Sequence, residues 1–139
     1  MPSTFTVGDG KTSATIQAAI DLITGNLSGL GKQWVQVYPP AVAYADTPNA
    51  SAGFSGASAT DHIDIEAMVS NGGLRDHGIV LDCGSNSVTN AIMLFSYTKL
   101  HGFCITASSY LASGTSNTIY TIDHTRIYDN LIYDIQTDA

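Results

Sequence analysis

The chain has 139 residues, a length that suits one domain with a core large enough to need no metal or disulfide staples. Charged side chains make up 12% of it, about half the usual share of a soluble domain, and hydrophobic ones make up 44%. The net charge of −7 repels polyanions over most of the surface, so we expect neither nucleic acid nor a membrane as a partner.

No secretory leader or membrane span is visible in the sequence. Met1 is followed by PSTFTVGDGK, which has neither the basic nor the apolar stretch of a signal peptide. The apolar runs stay far below the roughly 18–20 residues that span a bilayer. We therefore expect a soluble protein that is made in the cytoplasm without a signal peptide.

Residues 1–33 predict a short strand followed by an amphipathic helix. The strand is TFTV (4–7), which is ended by a glycine-rich turn. The helix is TIQAAIDLI (15–23), because its apolar residues recur at helical spacing and form one stripe: Ile16, Ala19, Ile20 and Ile23. A helix this short is marginal alone, so we expect its stripe to form an N-terminal cap over a larger core.

Residues 34–139 predict short strands that belong to the same domain, so that 1–139 is one unit. WVQVY (34–38) predicts a strand that ends at two prolines. From 42 to 60 the composition turns to Ala, Ser, Gly, Thr and Asn. That segment has too few large apolar side chains for a second core and predicts a long excursion.

The second half of the chain carries an internal repeat at two spacings. In the longer repeat, IMLFSYTKLHGFCIT (92–106) lies over IYTIDHTRIYDNLIY (119–133) at a constant offset. In the shorter repeat, GIVLD (78–82) matches GFCIT (102–106). The longer repeat matches Ile92 with Ile119, Thr98 with Thr125, Lys99 with Arg126, Leu100 with Ile127 and Ile105 with Ile132.

The earlier strands follow at similar spacings. HIDIE (62–66) lies about midway between WVQVY and AIMLF (91–95). This spacing predicts two strand columns, one near Val35, Ile63, Ile92 and Ile119, the other near Ile79, Phe103 and Asn130. All of these spacings fall within the roughly 20–50 residues that are typical of repeat folds, and they predict a β-solenoid with one coil per repeat. An antiparallel sandwich also has short strands, but it does not predict a fixed offset.

Several motifs add a family resemblance. TFTVGDGKTSATIQAAIDLI followed by WVQVYP resembles the start of pectate-lyase-like right-handed β-helix proteins, and IYTIDHTRIYDNLIYDI resembles their recurring coils. ATIQAAID together with the Trp-led strand and TDHIDI is most similar to β-helix proteins of bacteriophages. The resemblance implies an all-β fold, a short right-handed single-stranded parallel β-helix of about four coils with an N-terminal amphipathic capping helix.

The predicted columns give no catalytic site. Enzymes of the family that this chain resembles use carboxylates from neighbouring coils as an acid/base pair or to bind Ca²⁺. Here Asp82 falls opposite Thr106 and Tyr133, Asp123 opposite Ser96, and Asp129 opposite Gly102. Because no two carboxylates stack, we expect no catalytic residue and no enzyme activity.

Three other clusters have a functional and a structural interpretation. Asp61, Asp64 and Glu66 are a conceivable Ca²⁺ site, although such alternation is more typical of a solvated strand face. His77 and His101 fall one coil apart, followed by Tyr128, which favours a polar ladder over a metal pair that lacks a third ligand. Two cysteines, Cys83 and Cys104, are expected as buried apolar side chains. We therefore expect no metal and no cofactor.

The segment 123–126 contains Asp, His, Thr and Arg, which invites an acid/base role. One coil earlier the same positions are Ser96-Tyr97-Thr98-Lys99, so the Lys99–Arg126 pair favours an exposed basic step instead. Tyrosines lie in or between the repeat strands and favour internal packing, stacking on sugar rings or anchoring of a protein partner: Tyr97, Tyr110, Tyr120, Tyr128 and Tyr133.

The final coil has no following sequence to cover it, so we expect it to be an interface with another protein. Its apolar and aromatic residues are Ile127, Tyr128, Leu131, Ile132, Tyr133 and Ile135. We expect a structural protein of a phage particle, a capsid-decorating or tail-associated subunit located in the virion, which binds itself or other virion proteins. The alternative is a carbohydrate-binding or polysaccharide-cleaving β-helix, located outside the cell, with a glycan as partner.

Overall fold

The computed structural model describes residues 2–23, 25–39, 54–83, 90–111, 117–121 and 123–137. Its elements, in chain order, are β1 (Ser3–Val7), α1 (Ile16–Asp21), β2 (Lys32–Val37), β3 (His62–Ala67), β4 (Val80–Asp82), β5 (Asn90–Leu94), β6 (Lys99–His101), β7 (Cys104–Leu111), β8 (Asn117–Thr121), β9 (Arg126–Tyr128) and β10 (Leu131–Thr137). Most of the predicted excursion at 42–60 lies outside the described residues.

The strands form three parallel sheets. The first has the order β1-β2-β3-β6-β9, the second β10-β7-β4, and the third pairs β5 with β8. These sheets stack as a β-solenoid of about three turns with almost no helix. The predicted all-β solenoid is therefore confirmed, and the antiparallel sandwich is excluded for the described strands.

The strand register confirms both the longer and the shorter repeat. Ile105 lies between Leu81 and Ile132 in the second sheet, and all three strands run in the same direction. Ile92 pairs with Ile119, and Lys99 pairs with Arg126. The side chains that the repeats matched are therefore neighbours in adjacent coils.

The register predicted for the earlier strands was wrong. Val35 pairs with Ile65, two positions beyond the Ile63 that the spacing suggested. Strand β3 then pairs with β6, so that Ile65 lies against Leu100, whereas β5 belongs to the separate sheet with β8. The predicted first column therefore combined strands from two sheets, since both have the same alternation of apolar side chains.

The helix is shorter than predicted and runs from Ile16 to Asp21. Thr15 is its N-cap, because its hydroxyl accepts a hydrogen bond from the Ala18 amide at 3.1 Å. The predicted stripe is buried in the hydrophobic core next to β1 and β2: Ile16, Ala19, Ile20 and, beyond the helix, Ile23. In the described residues no helix is long and apolar enough to cross a membrane.

The core is built from columns of aliphatic side chains that point into the coil. In the first sheet, Val35, Ile65 and Leu100 lie on top of one another and are fully buried. Phe5 begins this column and Ile127 ends it. Both ends are more exposed than the three members between them, because each interior member is covered from two sides.

Left-handed backbone recurs at equivalent corners of neighbouring coils. Gly102 and Asp129 have φ values of 86° and 55°. Tyr97 and His124 have φ values of 61° and 62°. Positive φ costs free energy in residues other than glycine, so the coil geometry imposes it at Tyr97 and His124.

Candidate functional site

The outer face of the first sheet carries a dense group of ionisable side chains. In β3, Ile63 and Ile65 lie in the core, so alternation places His62, Asp64 and Glu66 on the opposite face. We call this face of β2, β3, β6 and β9 the polar wall. Its register defines two columns, Trp34, Asp64, Lys99 and Arg126 in one and Gln36, Glu66, His101 and Tyr128 in the other.

Asp64 is the centre of a charged network on the polar wall. One of its carboxylate oxygens lies 3.1 Å from Lys32 Nζ, and the other lies 2.7 Å from His101 Nε2. The carboxylate is buried, and His101 stacks on Tyr128 with 4.5 Å between ring centroids and an interplanar angle of 11°. Both oxygens of Asp64 are therefore already occupied by protein groups.

The neighbouring acid, Glu66, is held by a tryptophan. Trp34 Nε1 donates a hydrogen bond of 2.8 Å to Glu66 Oε2, and the Lys32 ammonium lies 3.9 Å from the Trp34 ring centroid. A cation over the indole face is attracted by the ring quadrupole. Trp34 thus joins the two columns of the wall through its hydrogen bond to Glu66, and Lys32 contacts both Trp34 and Asp64 in the first column.

The structure does not bring Asp61, Asp64 and Glu66 together as the conceivable calcium site. Asp61 accepts a hydrogen bond of 2.7 Å from the Gly31 amide, and backbone hydrogen bonds from Gly31 and Gly29 lower its pKa. The three carboxylates have separate partners, and no group of three His, Cys, Asp or Glu side chains among the described residues is placed to hold a metal ion. The alternative of a solvated face was wrong for Asp64, which is buried.

The predicted ladder of His77 and His101 is wrong at its first member. His101 lies opposite Glu66 in the preceding rung of the wall, and Tyr128 follows it as predicted. His77 lies in an exposed segment before β4 and belongs to no strand. The shorter repeat matched these two histidines in sequence, but the first sheet takes its previous rung from β3.

A second feature of the wall is a cavity of about 320 Å³ beside the start of β3, β6 and β9. Its lining consists of Ser58, Ala59, His62, Tyr97, Lys99, His124, Thr125 and Arg126. We call this cavity the basic pocket, because Lys99 and Arg126 line it and its described lining contains no Asp or Glu. The predicted basic step is therefore part of a concave site.

His62 is the side chain of this pocket that the sequence analysis missed. It is 8% exposed, and among the described residues its ring nitrogens have only a weak interaction with the backbone of Ala59, which forms no full hydrogen bond. Burial and the charge of Lys99 lower the pKa of His62 below its ordinary value of 6.5, although the charge of Asp64 opposes them. At neutral pH the ring is therefore uncharged, with one N–H donor and one acceptor nitrogen.

The depressed pKa of His62 predicts a loss of stability in mild acid. The unfolded chain binds a proton at this ring more strongly than the folded protein does, so protonation favours unfolding. We expect the free energy of unfolding to fall as the pH drops from 6.5 through the folded-state pKa. Urea unfolding on both sides of pH 6.5 measures this change. The His62→Gln variant should lose the pH dependence that comes from this ring, whereas replacement of the exposed His77 by Gln should keep it. An NMR titration that places the His62 pKa at 6.5 or above would contradict it.

One wall of the basic pocket is a stacked ring pair. Tyr97 and His124 occupy equivalent corners, with ring centroids 4.6 Å apart and an interplanar angle of 5°. Asp123 beside them lies in an exposed turn, and no contact among the described residues joins it to His124 as an acid/base pair. The side chains of Tyr110 and Tyr120 lie outside the described part of the chain.

The residues predicted as an interface lie on the two edge strands β9 and β10. Ile127, Tyr128 and Ile132 are 38%, 41% and 47% exposed. Leu131 and Tyr133 are half-buried, whereas the side chain of Ile135 lies outside the described residues. We call Ile127, Tyr128, Leu131, Ile132 and Tyr133 the last rung.

Tyr133 differs from its neighbours because it has a polar partner within the chain. Its hydroxyl lies 2.6 Å from Asp76 Oδ1 and accepts a hydrogen bond of 2.9 Å from the Asp76 amide. Burial, followed by the hydrogen bond to Asp76, raises the pKa of Tyr133 to about 12. The side chain is therefore a fixed edge of the last rung.

No protein-family model matches the chain, and comparisons with curated proteins and with solved structures found no match either. The fold assignment is therefore based on strand pairing, and the candidate sites on the side-chain geometry described above.

Proposed function

We propose that this protein is a non-enzymatic structural subunit that acts through protein–protein assembly, as a capsid-decorating or tail-associated component of a phage particle. The last rung carries the assembly proposal, because Ile127, Tyr128 and Ile132 are large side chains that are exposed on the edge strands β9 and β10. The similarity of ATIQAAID and TDHIDI to phage β-helix proteins supports the setting in a virion.

The two ends of the solenoid differ in a way that supports assembly through one end. Beside β1 and β2, helix α1 buries its apolar stripe against the core. On β9 and β10 the apolar column continues to side chains in contact with water, and among the described strands each of these two pairs on one side only. Exposed edge strands of this kind associate readily. We infer that α1 is the cap of a right-handed β-helix of about four coils, and that the last rung is its joining face.

We take the occupant of the last rung to be a second copy of this chain. A symmetric pair places the same patch of both copies in contact, so each exposed Ile132 finds an apolar partner surface without any other protein. Burial of these side chains also removes apolar area from water, which stabilises the pair. Other virion proteins are the alternative occupants.

Light scattering during gel filtration tests this proposal. We expect a mass above the 14.6 kDa of one chain, and we expect Ile132→Asp to shift the protein to that monomer mass. The variant places a charge where an apolar contact is proposed, and its circular dichroism should match the parent because Ile132 is nearly half exposed.

Leu22→Asp is the matched control. Leu22 is 54% exposed but follows helix α1, far along the chain from the last rung. It should leave the oligomer intact. If the parent protein is a monomer at millimolar concentration, the proposed self-association is wrong. If Leu22→Asp dissociates the oligomer and Ile132→Asp does not, the contact lies at the end of the helix instead.

The stacked rings of the polar wall favour a second candidate, a carbohydrate-binding β-helix. His101 with Tyr128, and Tyr97 with His124, present flat surfaces of the kind on which sugar rings pack. The polysaccharide-cleaving form of this candidate has less support. Asp64 is held by Lys32 and His101, Glu66 is held by Trp34, and in the described register each lies opposite a residue other than a carboxylate. Release of oligosaccharides from an acidic polysaccharide would overturn the non-enzymatic proposal.

A further inference from the structure

The basic pocket contains a buried polar group without a full hydrogen bond. His62 is more than nine-tenths buried, it lines the cavity, and among the described residues its ring nitrogens have only a weak interaction with the Ala59 backbone and no full hydrogen bond. Buried side-chain nitrogens normally have a partner, because leaving one unsatisfied costs free energy. A ligand with an acceptor atom in the cavity gives the His62 N–H the full hydrogen bond that the protein does not supply.

The charges that line the pocket around His62 also favour an anionic ligand, because positive side chains are in excess. Lys99 and Arg126 lie directly opposite each other in register, an arrangement of like charges that destabilises a pair of strands. Neither forms an ion pair with a described residue, since the oxygens of Asp64 are held by Lys32 and His101. The described lining contains no Asp or Glu. Asp64 lies opposite Lys99 on the other side, but its oxygens already have Lys32 and His101 as partners, so the two adjacent cations leave positive charge for an anion in a chain of net charge −7.

The size and the walls of the pocket suit more than a bare ion. Its volume of about 320 Å³ lies at the lower end of the range for small-molecule sites. The stacked rings of Tyr97 and His124 form one wall, and both residues have the left-handed backbone that often marks binding sites. Hydroxyl groups of Ser58 and Thr125 add polar atoms to the lining.

We propose that the basic pocket binds an oxyanion, a phosphate or sulfate group carried by a small sugar. Arg126 presents a planar fork that pairs with two oxygens at once, and Lys99 supplies a second positive charge. The neutral His62 ring donates its N–H to the same group, while the face of the Tyr97–His124 stack contacts the sugar. This inference does not rest on assembly, and its failure leaves the last rung unaffected.

Isothermal titration calorimetry at constant ionic strength tests the inference. The four probes are inorganic phosphate, inorganic sulfate, glucose 6-phosphate and glucose. We expect saturable binding of the anions, tighter binding of glucose 6-phosphate, and none of glucose. Arg126→Gln and Lys99→Gln should each weaken glucose 6-phosphate binding by about tenfold or more, because each removes a charge-assisted hydrogen bond. Arg126 is exposed, so its variant is expected to keep the fold.

Lys11→Gln is the matched control, since Lys11 lies over the Tyr38 ring and outside the basic pocket. It should bind the anions as the parent does. The Ile132→Asp variant is titrated in parallel and should also bind the anions as the parent does, because the pocket does not depend on assembly. Absence of saturable anion binding, or binding that Arg126→Gln and Lys99→Gln leave unchanged, overturns the site. Equal affinity for inorganic phosphate and glucose 6-phosphate overturns the sugar assignment.

Discussion

Replacement of Ile65 by alanine is expected to lower the free energy of unfolding by about 2–5 kcal/mol. Ile65 lies between Val35 and Leu100 in the first sheet and is fully buried. Its truncation removes apolar contacts with both neighbouring rungs and leaves a cavity that parallel strands on either side cannot close. Equilibrium unfolding in urea, followed by circular dichroism, measures the loss.

The same inner column provides the matched control. Ile127 carries the same side chain at the end of the column and is 38% exposed, so Ile127→Ala should cost far less. Both substitutions are best measured in the monomeric Ile132→Asp background, where assembly cannot contribute to stability. Equal losses at the two positions would mean that the column is not packed as described.

Replacement of Gly78 by alanine is expected to destabilise the protein by about 3 kcal/mol or more. Gly78 has a φ of +70°, and an added Cβ would lie 2.7 Å from the Val69 carbonyl oxygen and 2.8 Å from that of Ser70. Both obstacles are backbone atoms, which cannot move aside as a flexible side chain can. The substitution therefore combines an unfavourable backbone conformation with a steric clash just before β4.

Gly72→Ala separates these two contributions. Gly72 has a φ of +60°, and nothing lies within 4 Å of an added Cβ, so only the backbone preference of about 1–2 kcal/mol is lost. Thermal and urea unfolding should show that the Gly78→Ala variant is much less stable than the Gly72→Ala variant. If the ranking is reversed, the close approach of this corner to Val69 and Ser70 is wrong.

The sequence predicts the late coils better than the early ones, for a physical reason. Leu100 and Ile127 are separated by the same offset as the other pairs of the longer repeat, so a constant offset identifies the stacked partners. Between Val35 and Ile65 lies the long excursion, whose length no repeat fixes. A shift by two positions keeps every apolar side chain on the inner face, so hydrophobic alternation favours Ile63 and Ile65 equally. The division of the chain at residue 33 stays a prediction.

Part of the candidate site can likewise be predicted from the sequence, and part of it cannot. The pairing of Lys99 with Arg126 follows from the repeat alone, and it predicts a local concentration of positive charge. The role of His62 does not follow from sequence, because its burial depends on the corner at Tyr97 and His124 in two later coils. Alternation places His62 on the outer face of β3, where a solvated side chain is the ordinary expectation. Only the three-dimensional structure combines these residues into one cavity.

The exclusive use of parallel pairing among the described strands has a consequence for how the chain folds. Each described strand has its sheet partner in another coil, as Ile65 does in Leu100, and none of these sheets contains a hairpin that forms locally. Every pairing therefore closes a long loop before any apolar contact compensates for the lost chain entropy. Helix α1 is too short to nucleate by itself. The rate of folding is accordingly set by the first meeting of two complete coils, after which later coils add to an existing template.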